Sequence, residues 1–414
     1  MNKSILFIGY SVSPKSGVGG RRWNKFLNEF LARGIRVHII CVSGDQELNY
    51  HALANCQIIP NTYPKILSSN PSSYKQKLQY KFHQKWRSFR YYGTPYDLCK
   101  GEIDAFLMNA KRTINELQIR NVIVSGAPFS LFKVGRLLKN AFDINLIIDY
   151  RDPWTTGDGY GMNIISKRKK REERIEERMV LDVADHVIVA SEDIKLRLTN
   201  VKNIKTKNIH VITNGHSFAK HIGSTQQINR SDKNIRLMHI GSIKKPLECY
   251  WRNILDILEN LNSHGSINLS FDFFGCDNED LRNYCSKLNL SFVTFYPRLN
   301  ETELHRKMPD YDFFVLFKKS DFPNTFPTKF FDYIMFRKPL ICYTVQGLFS
   351  KEIEEERIGF TLNENSTSDD FRKNIKTLNT SFNFNYDTDK FSVKKTTKRI
   401  VDLLVEKIAG NKNT

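Results

Sequence analysis

The sequence predicts an α/β protein built from two doubly wound domains. Apolar, strand-like runs alternate with amphipathic helical patterns along most of the chain, in two series that the polar stretch 216–234 separates. Repeated strand–helix–strand units form parallel sheets with helices on both faces. At 414 residues, the chain also exceeds what one core usually holds. We therefore expect domains at 1–220 and 221–390, and a C-terminal helix within 391–414 that packs back toward the first domain.

The elements follow one another in a regular order. The first strand leads through a glycine-rich turn into an amphipathic helix that ends at Gly34, a residue suited to a C-cap. In the second series, a short helix begins near Pro327, which fits a first helical turn, and ends before Pro339. Strands are predicted at 4–10, 36–43, 121–126, 145–150, 186–191 and 210–215, and then at 235–242, 269–275, 292–297, 312–317 and 339–344.

Composition narrows the class of protein. The net charge of +19 indicates an anionic partner, such as a nucleotide, a phospholipid surface or a nucleic acid. The seven cysteines are scattered and include no CxxC pair, which predicts reduced thiols in a cytoplasmic protein rather than disulfides or a zinc site. The N-terminal segment lacks the features of a signal peptide, and no apolar run is long enough to span a membrane.

Four polar clusters follow predicted strands, and open α/β sheets bind ligands at the carboxyl ends of their strands. These clusters are 13–23, 149–161, 241–246 and 326–344. Two facing domains would hold a ligand in the cleft between them.

In the first cluster, Gly17, Gly19 and Gly20 would let the backbone approach an anion at a helix N-terminus. Their spacing matches neither GxGxxG nor GxxxxGK[ST], so a flexible turn is the alternative. In the second cluster, Arg151 and Asp152 either face a ligand or pair with each other.

The other two clusters offer a basic pair and a single acid. Lys244 and Lys245 would neutralise a diphosphate, unless they are ordinary surface residues. Asp332 is the only acid in an apolar helical turn, and its alternative is a solvated or capping carboxylate.

The order of several motifs resembles glycosyltransferase family 4, the retaining, sugar-nucleotide-dependent GT-B enzymes of bacterial surface-polysaccharide assembly. The resemblance covers nearly the whole chain, and FPTKFFDYIMFRKPLI is its most specific part. The motifs are SGVGG (16–20), SGAPFS (125–130), DYRDPW (149–154), ADHVIVAS (184–191), HVITNG (210–215), HIGS (239–242) and FPTKFFDYIMFRKPLI (326–341).

The resemblance implies a GT-B fold, with two Rossmann-like domains facing across a cleft, and a set of site residues. Thr328 and Lys329 would lie near the donor phosphates, and Asp332 would accept hydrogen bonds from the ribose hydroxyls. Either Lys244 or Lys245 would match the basic residue on the diphosphate. Taken together with the clusters, the predicted donor-binding set is Gly17, Gly19, Gly20, Gly241, Ser242, Asn324, Thr328, Lys329 and Asp332, and the predicted catalytic set is Arg151, Asp152, Lys244 and Lys245.

Two departures from the family pattern affect sugar recognition. Asn324 stands where the family often has the first Glu of a Glu-x7-Glu pair, and Asp332 stands at the second. The histidine that polarises the donor sugar has no match, and Arg151 and Asp152 occupy that neighbourhood; we expect Asp152 to contact the acceptor or the donor sugar. No metal or cofactor is expected, and Asp312 of an Asp-x-Asp sequence is interpreted as a residue at the entry of a strand.

The implied reaction transfers a hexose, with retention, from a UDP- or GDP-linked sugar to a glycan or polyprenyl-linked acceptor in capsule, O-antigen or exopolysaccharide assembly. The segment 73–93 interleaves Lys and Arg with aromatic residues, which suits the anionic inner face of the cytoplasmic membrane; an ordinary surface helix is the alternative. A catalytically silent GT-B partner subunit is the competing function. A nucleic-acid-binding protein is disfavoured because the chain contains no recognisable RNA module.

Overall fold

The computed structural model describes most of the chain, in two compact units. One unit is Met1–Gly215 together with Val393–Thr414, and the other is His216–Ser392. The residues 218–233, which make up most of the predicted linker, lie outside the described part. The described residues are 4–13, 18–43, 52–68, 71, 73–90, 97–157, 160–200, 208–217, 234–243, 247–263 and 267–410.

The first unit is built on a seven-stranded parallel sheet. Its strands are β1 Ser4–Ile8, β2 Arg36–Cys41, β3 Ala54–Ile58, β4 Asn121–Gly126, β5 Asn145–Tyr150, β6 His186–Val189 and β7 Ile209–Val211. Their order across the sheet is β3-β2-β1-β4-β5-β6-β7. The winding direction reverses between β1 and β4, and ligands of open α/β sheets bind beyond the carboxyl ends of strands at such a point.

The second unit repeats this plan with six parallel strands. These are β8 Asn234–Ile240, β9 Asn268–Phe274, β10 Val293–Tyr296, β11 Phe313–Phe317, β12 Leu340–Tyr343 and β13 Gly359–Leu362. The order is β10-β9-β8-β11-β12-β13, so the corresponding switch point lies between β8 and β11. The strand β11 is buried along its whole length, as a central parallel strand should be.

Most of the helices pack an apolar face against a sheet. On the first helix, for example, Trp23, Phe26 and Phe30 are buried at helical spacing. The helices are α1 Val18–Ala32, α2 Tyr74–Arg90, α3 Ile103–Leu117, α4 Ser130–Ala141, α5 Lys167–Val183, α6 Glu192–Thr199, α7 Glu248–Ser263, α8 Glu279–Lys287, α9 Glu301–Lys307, α10 Thr328–Tyr333, α11 Leu348–Glu355, α12 Ser368–Ser381 and α13 Val393–Gly410.

The last helix, α13, returns to the first unit. Ile400 and Leu404 join the apolar cluster that α1 forms on one face of the sheet. Asn145 Nδ2 donates to Leu403 O at 3.1 Å, and Arg33 Nη2 donates to Lys394 O at 2.8 Å.

The sequence analysis does not predict β3 and β13, which are both edge strands. The side chains of β3 are at most half-buried, so its sequence lacks the continuous apolar run of a central strand. Within the described residues, no helix is long and apolar enough to cross a membrane.

Candidate active-site residues in each unit

A cavity of about 590 Å³ lies at the carboxyl ends of β1, β4 and β5 in the first unit. Gly19 and Gly20, at the start of α1, line it together with Arg151, which follows β5. A pocket with large apolar walls and a few polar groups is the usual form of a small-molecule site. Its aromatic and hydroxyl-bearing walls include Tyr10, Tyr63, Phe129, Tyr160, Ser11, Ser43 and Ser125.

Gly19 and Arg151 fit together so closely that no other residue can replace the glycine without movement. A Cβ on Gly19 would lie 1.3 Å from Arg151 Nη1. The guanidinium is held there because its Nε donates to Gly126 O at 2.9 Å and its Nη2 donates to Ala127 O at 2.7 Å. A cation beside a helix N-terminus concentrates positive charge, which favours an anionic ligand.

Asp152, the other predicted catalytic residue of this loop, does not pair with Arg151. Its Oδ2 accepts a hydrogen bond of 2.8 Å from the Tyr160 hydroxyl, and Tyr160 lines the cavity. Burial, and then the charge of Asp152, raise the pKa of Tyr160, so the phenol stays protonated and donates. The alternative of a local Arg151–Asp152 ion pair is therefore wrong, since each side chain has another partner.

The buried acid at this end of β5 is Asp149, which the sequence analysis did not single out. Its carboxylate accepts hydrogen bonds from Trp23 Nε1 at 2.6 Å and from Ser125 Oγ at 2.8 Å, and it pairs with Arg22 at 3.4 Å. Arg22 is also buried and donates to Ile212 O at 2.7 Å. Burial lowers the pKa of Arg22 although Asp149 opposes that shift. These residues join α1, β4 and β5 under the cavity.

In the second unit, Lys329 is the central residue of the predicted donor site. Its Nζ lies 3.0 Å from His239 Nε2 at the end of β8, and 3.4 Å from Ser242 O. Gly241, at a φ of +76°, brings its backbone against the lysine stem, and a Cβ there would lie 3.3 Å from Lys329 Cε. Three members of the predicted donor set, Gly241, Ser242 and Lys329, are therefore adjacent.

Tyr333 fixes α10 against the sheet. Its hydroxyl accepts a hydrogen bond of 2.9 Å from Ile240 N, and its ring stacks on Phe314 with a centroid distance of 4.6 Å. The helix begins at Thr328, one residue after Pro327, and passes into a 3-10 turn over Ile334–Phe336. The buried positions Phe330, Phe331 and Tyr333 leave Asp332 half-buried on the remaining side.

Asn324 has a structural role in this unit. Its Oδ1 accepts a hydrogen bond of 3.0 Å from Leu348 N, the first residue of α11. That contact satisfies one of the backbone N–H groups that a helix start leaves unpaired. Gly17, Lys244 and Lys245 lie outside the described residues, so their predicted roles stay predictions.

No metal centre is found among the described residues: they contain no group of three or more His, Cys, Asp or Glu side chains placed to hold an ion. Asp312 immediately precedes β11, as expected of a residue at the entry of a strand. Its Oδ2 accepts a hydrogen bond of 2.8 Å from Arg236 N on the neighbouring strand.

The chain is similar to one known protein family and to several solved structures. The model for Glycosyltransferase Family 4 matches residues 19–219, and no curated protein matches the sequence significantly. Sucrose-phosphate synthase from Thermosynechococcus elongatus is 14% identical with a TM-score of 0.64, covering 98% of this chain and 99% of that one. A lipopolysaccharide outer core galactosyltransferase is also 14% identical, with a TM-score of 0.60 and coverages of 98% and 99%. The E. coli trehalose-6-phosphate structure with bound UDP-2-fluoro glucose is 12% identical, with a TM-score of 0.62 and coverages of 97% and 99%.

These likenesses extend over both parallel sheets and define the class: the protein has the GT-B fold, with two Rossmann-like units. Residues 19–219 resemble Glycosyltransferase Family 4, and the solved structures share the fold of the whole chain. The predicted fold class and the predicted resemblance are confirmed.

Proposed function

We propose that the protein transfers a hexose, with retention of anomeric configuration, from a UDP- or GDP-linked sugar to a hydroxyl of a glycan or polyprenyl-linked acceptor. The reaction belongs to capsule, O-antigen or exopolysaccharide assembly. It takes place on the cytoplasmic side of the membrane, with the protein bound peripherally to the anionic lipid surface.

The observation that carries the proposal is the placement of Lys329. Its ammonium group contacts an imidazole nitrogen and a carbonyl oxygen, and among the described residues it forms no ion pair with a carboxylate. A partly buried cation without a counter-charge favours an anionic ligand. Asp332 lies three residues further along α10, and a carboxylate accepts hydrogen bonds from sugar hydroxyls. A diphosphate attached to a ribose offers both groups.

The same arrangement suits the chemical step. Negative charge develops on the diphosphate as the bond from the anomeric carbon to its oxygen breaks. A preorganised cation stabilises that charge more in the transition state than in the ground state, and removal of one such group typically costs about a hundredfold in rate.

The cavity of the first unit is the proposed acceptor site. Arg151 and the Asp152–Tyr160 pair bring polar groups to its walls, while Tyr10 and Phe129 offer ring surfaces. The similar structures support the proposal by analogy, since one is a lipopolysaccharide outer core galactosyltransferase and another holds UDP-2-fluoro glucose.

A thermal-shift panel with UDP, GDP, CMP, dTDP and their common sugar conjugates tests the donor site. A ligand at about 100 times its Kd should stabilise the folded protein by roughly 2.7 kcal/mol. We expect a clear shift with one base, and we expect Asp332→Ala to remove that shift while the melting temperature of the ligand-free protein changes little.

The matched control is Asp310→Ala, which removes an exposed acid from the same unit and should leave the shift intact. If no nucleotide shifts the wild-type protein, the silent partner subunit becomes the better interpretation. If Asp332→Ala binds the nucleotide normally, Asp332 is not the ribose ligand.

The membrane part of the proposal rests on α2. Leu78 and Phe82 are 52% and 66% exposed on successive turns, together with Tyr74 and Trp86 at the same four-residue spacing. Four lysines are also exposed on this helix: Lys75, Lys77, Lys81 and Lys85. Apolar rings interleaved with lysines fit the interface of an anionic bilayer, where the rings enter the headgroup region and the cations meet lipid phosphates.

The buried end of α2 reaches the cavity. Arg87 is 2% exposed, its guanidinium lies 4.5 Å from the ring centroid of Tyr63, and it donates to Asp97 O at 2.9 Å. Tyr63 and Asp97 both line the cavity. A lipid-linked acceptor would therefore find its site beside the helix that meets the membrane.

Vesicle sedimentation tests this surface. Two variants alter α2 alone: one carries Leu78→Ser and Phe82→Ser, and the other carries Gln in place of its four exposed lysines. With phosphatidylglycerol vesicles at low salt, we expect each variant to reduce binding at least tenfold. Each lysine at an anionic surface contributes about 1 kcal/mol, and the apolar side chains contribute by entering the headgroup region.

The matched control changes Lys167, Arg168, Arg171 and Arg174 of α5 to Gln, which removes the same charge elsewhere. It should bind vesicles nearly as well as the wild type. Equal loss in the control and the α2 variants would mean that net charge alone drives binding and that α2 is not the docking surface.

A further inference from the structure

His239 is a buried polar residue between the apolar residues Met238 and Ile240 of β8. It is 1% exposed near the end of β8, and its ring lies 5.8 Å and 5.2 Å from the ring centroids of Phe273 and Phe317. Its Nδ1 is 2.9 Å from Val315 O on the neighbouring strand. A carbonyl oxygen only accepts hydrogen bonds, so Nδ1 carries the proton and Nε2 presents its lone pair.

That lone pair faces the ammonium group of Lys329. The distance of 3.0 Å between Nε2 and Nζ is a hydrogen bond that the lysine donates. A second N–H of the ammonium is directed to Ser242 O at 3.4 Å. An ammonium group has three donors, so one remains for a ligand.

Below pH 8, both groups are in the protonation state that this bond requires. Burial, and then the charge of Lys329, hold the pKa of His239 well below its usual range, so the imidazole stays neutral. Burial also lowers the pKa of Lys329 to about 8, which the Cys276 thiol opposes weakly. Among the described residues, Cys276 is the titratable side chain that raises the pKa of this lysine, and the lysine in turn lowers the pKa of His239.

We propose that His239 is the positioning residue of the donor site: its Nε2 lone pair holds the Lys329 ammonium so that the remaining N–H meets a phosphate oxygen of the donor diphosphate. This inference rests on the proposed function and assigns His239 a role that the motifs of the sequence did not suggest.

A measurable consequence is proton uptake on binding. An anion beside Lys329 raises its pKa, so the fraction of lysine that is neutral in the free protein takes up a proton from solvent. Near pH 8 this amounts to about half a proton per site. Affinity should therefore be constant well below pH 8 and should fall as the pH rises above it, because more of the free protein then holds a neutral amine.

The experiment is isothermal titration with UDP, with GDP and with inorganic pyrophosphate, at pH 8 in HEPES and in Tris, whose different ionisation enthalpies report proton uptake. His239→Phe keeps a ring among the flanking phenylalanines but removes the acceptor. His239→Gln places an amide oxygen near the position of Nε2. Lys329→Met removes the ammonium group, and thermal melting of each variant checks that it is folded.

We expect His239→Phe to weaken diphosphate binding by about tenfold or more and to change the proton uptake, while His239→Gln restores much of both. Lys329→Met should abolish uptake. A purely structural histidine would lower the melting temperature without changing the pH dependence of binding.

The outcomes separate this inference from the proposed function. If His239→Phe binds UDP or GDP with wild-type affinity and uptake, the positioning role is wrong and the donor site stands. If pyrophosphate alone binds, with proton uptake that depends on His239 and Lys329, the positioning role stands and the proposed nucleotide-sugar donor is wrong. If none of the three ligands binds the wild type, both are wrong.

Discussion

We expect Asp149→Ala to lower the free energy of unfolding of the first unit by about 3–5 kcal/mol. The carboxylate is fully buried and accepts hydrogen bonds from Trp23 and Ser125 while it pairs with Arg22. Its removal leaves the Arg22 guanidinium buried without its counter-charge, and an uncompensated buried charge is among the most destabilising changes a single substitution makes.

Urea unfolding followed by tryptophan fluorescence measures this effect, and hydrogen exchange of β5 assigns it to the first unit. The matched control is Glu29→Ala, which breaks the partly exposed pair between Glu29 and Arg33 at the end of α1. Pairs near the surface contribute about 0–1 kcal/mol. If Asp149→Ala costs no more than this control, Asp149 does not hold the three elements together.

We expect Gly19→Ala to reduce glycosyl transfer by about a hundredfold with only a small change in melting temperature. The new Cβ would occupy the position of Arg151 Nη1, 1.3 Å away, and the flexible arginine would have to leave. The guanidinium would then lose its bonds to Gly126 O and Ala127 O and its place in the cavity wall. The measurement is release of the nucleoside diphosphate from the sugar nucleotide identified in the thermal-shift panel.

A double-mutant cycle distinguishes this mechanism from a general disturbance of α1. Arg151→Ala alone should lower the rate about as much as Gly19→Ala, because both remove the guanidinium from the cavity. The double variant should be no slower than either single one, since the clash disappears with the side chain. Additive losses would show that Gly19 acts through something other than Arg151.

For the motif DYRDPW (149–154), the sequence predicted where a site lies but not which partner each residue contacts. The motif indicated a site at the end of β5, and the structure finds Arg151 in the cavity wall and Asp152 bonded to Tyr160. Nothing in the pattern showed that Asp149 is the buried acid, because its partners Trp23 and Ser125 are distant in sequence. A polar residue at the end of a buried strand was the available signal, both for Asp149 and for His239.

For Asn324, the sequence predicted a role in donor binding, whereas the side chain contacts the start of a helix. The sequence comparison placed it among the donor-binding residues because it stands at the position of a family glutamate. Its amide oxygen accepts a hydrogen bond from the first N–H of α11, from a residue 24 positions further along the chain, which the spacing of a motif does not reveal. The substitution thus coincides with a capping role, which a side-chain amide oxygen fulfils well.

Local patterns alone determined the alternation of strands and helices, the two series and the polar clusters at strand ends, because burial imposes periods of two and 3.6 residues on the chain. The edge strand β3 escaped this reasoning because its side chains are at most half-buried, and β13 because its run of four residues is too short to form a clear apolar pattern. Only the tertiary structure decided which polar side chains meet. The pairs Arg22–Asp149 and His239–Lys329 join residues 127 and 90 positions apart, and such contacts depend on sheet order and on hydrogen-bond geometry across elements, which no single segment encodes.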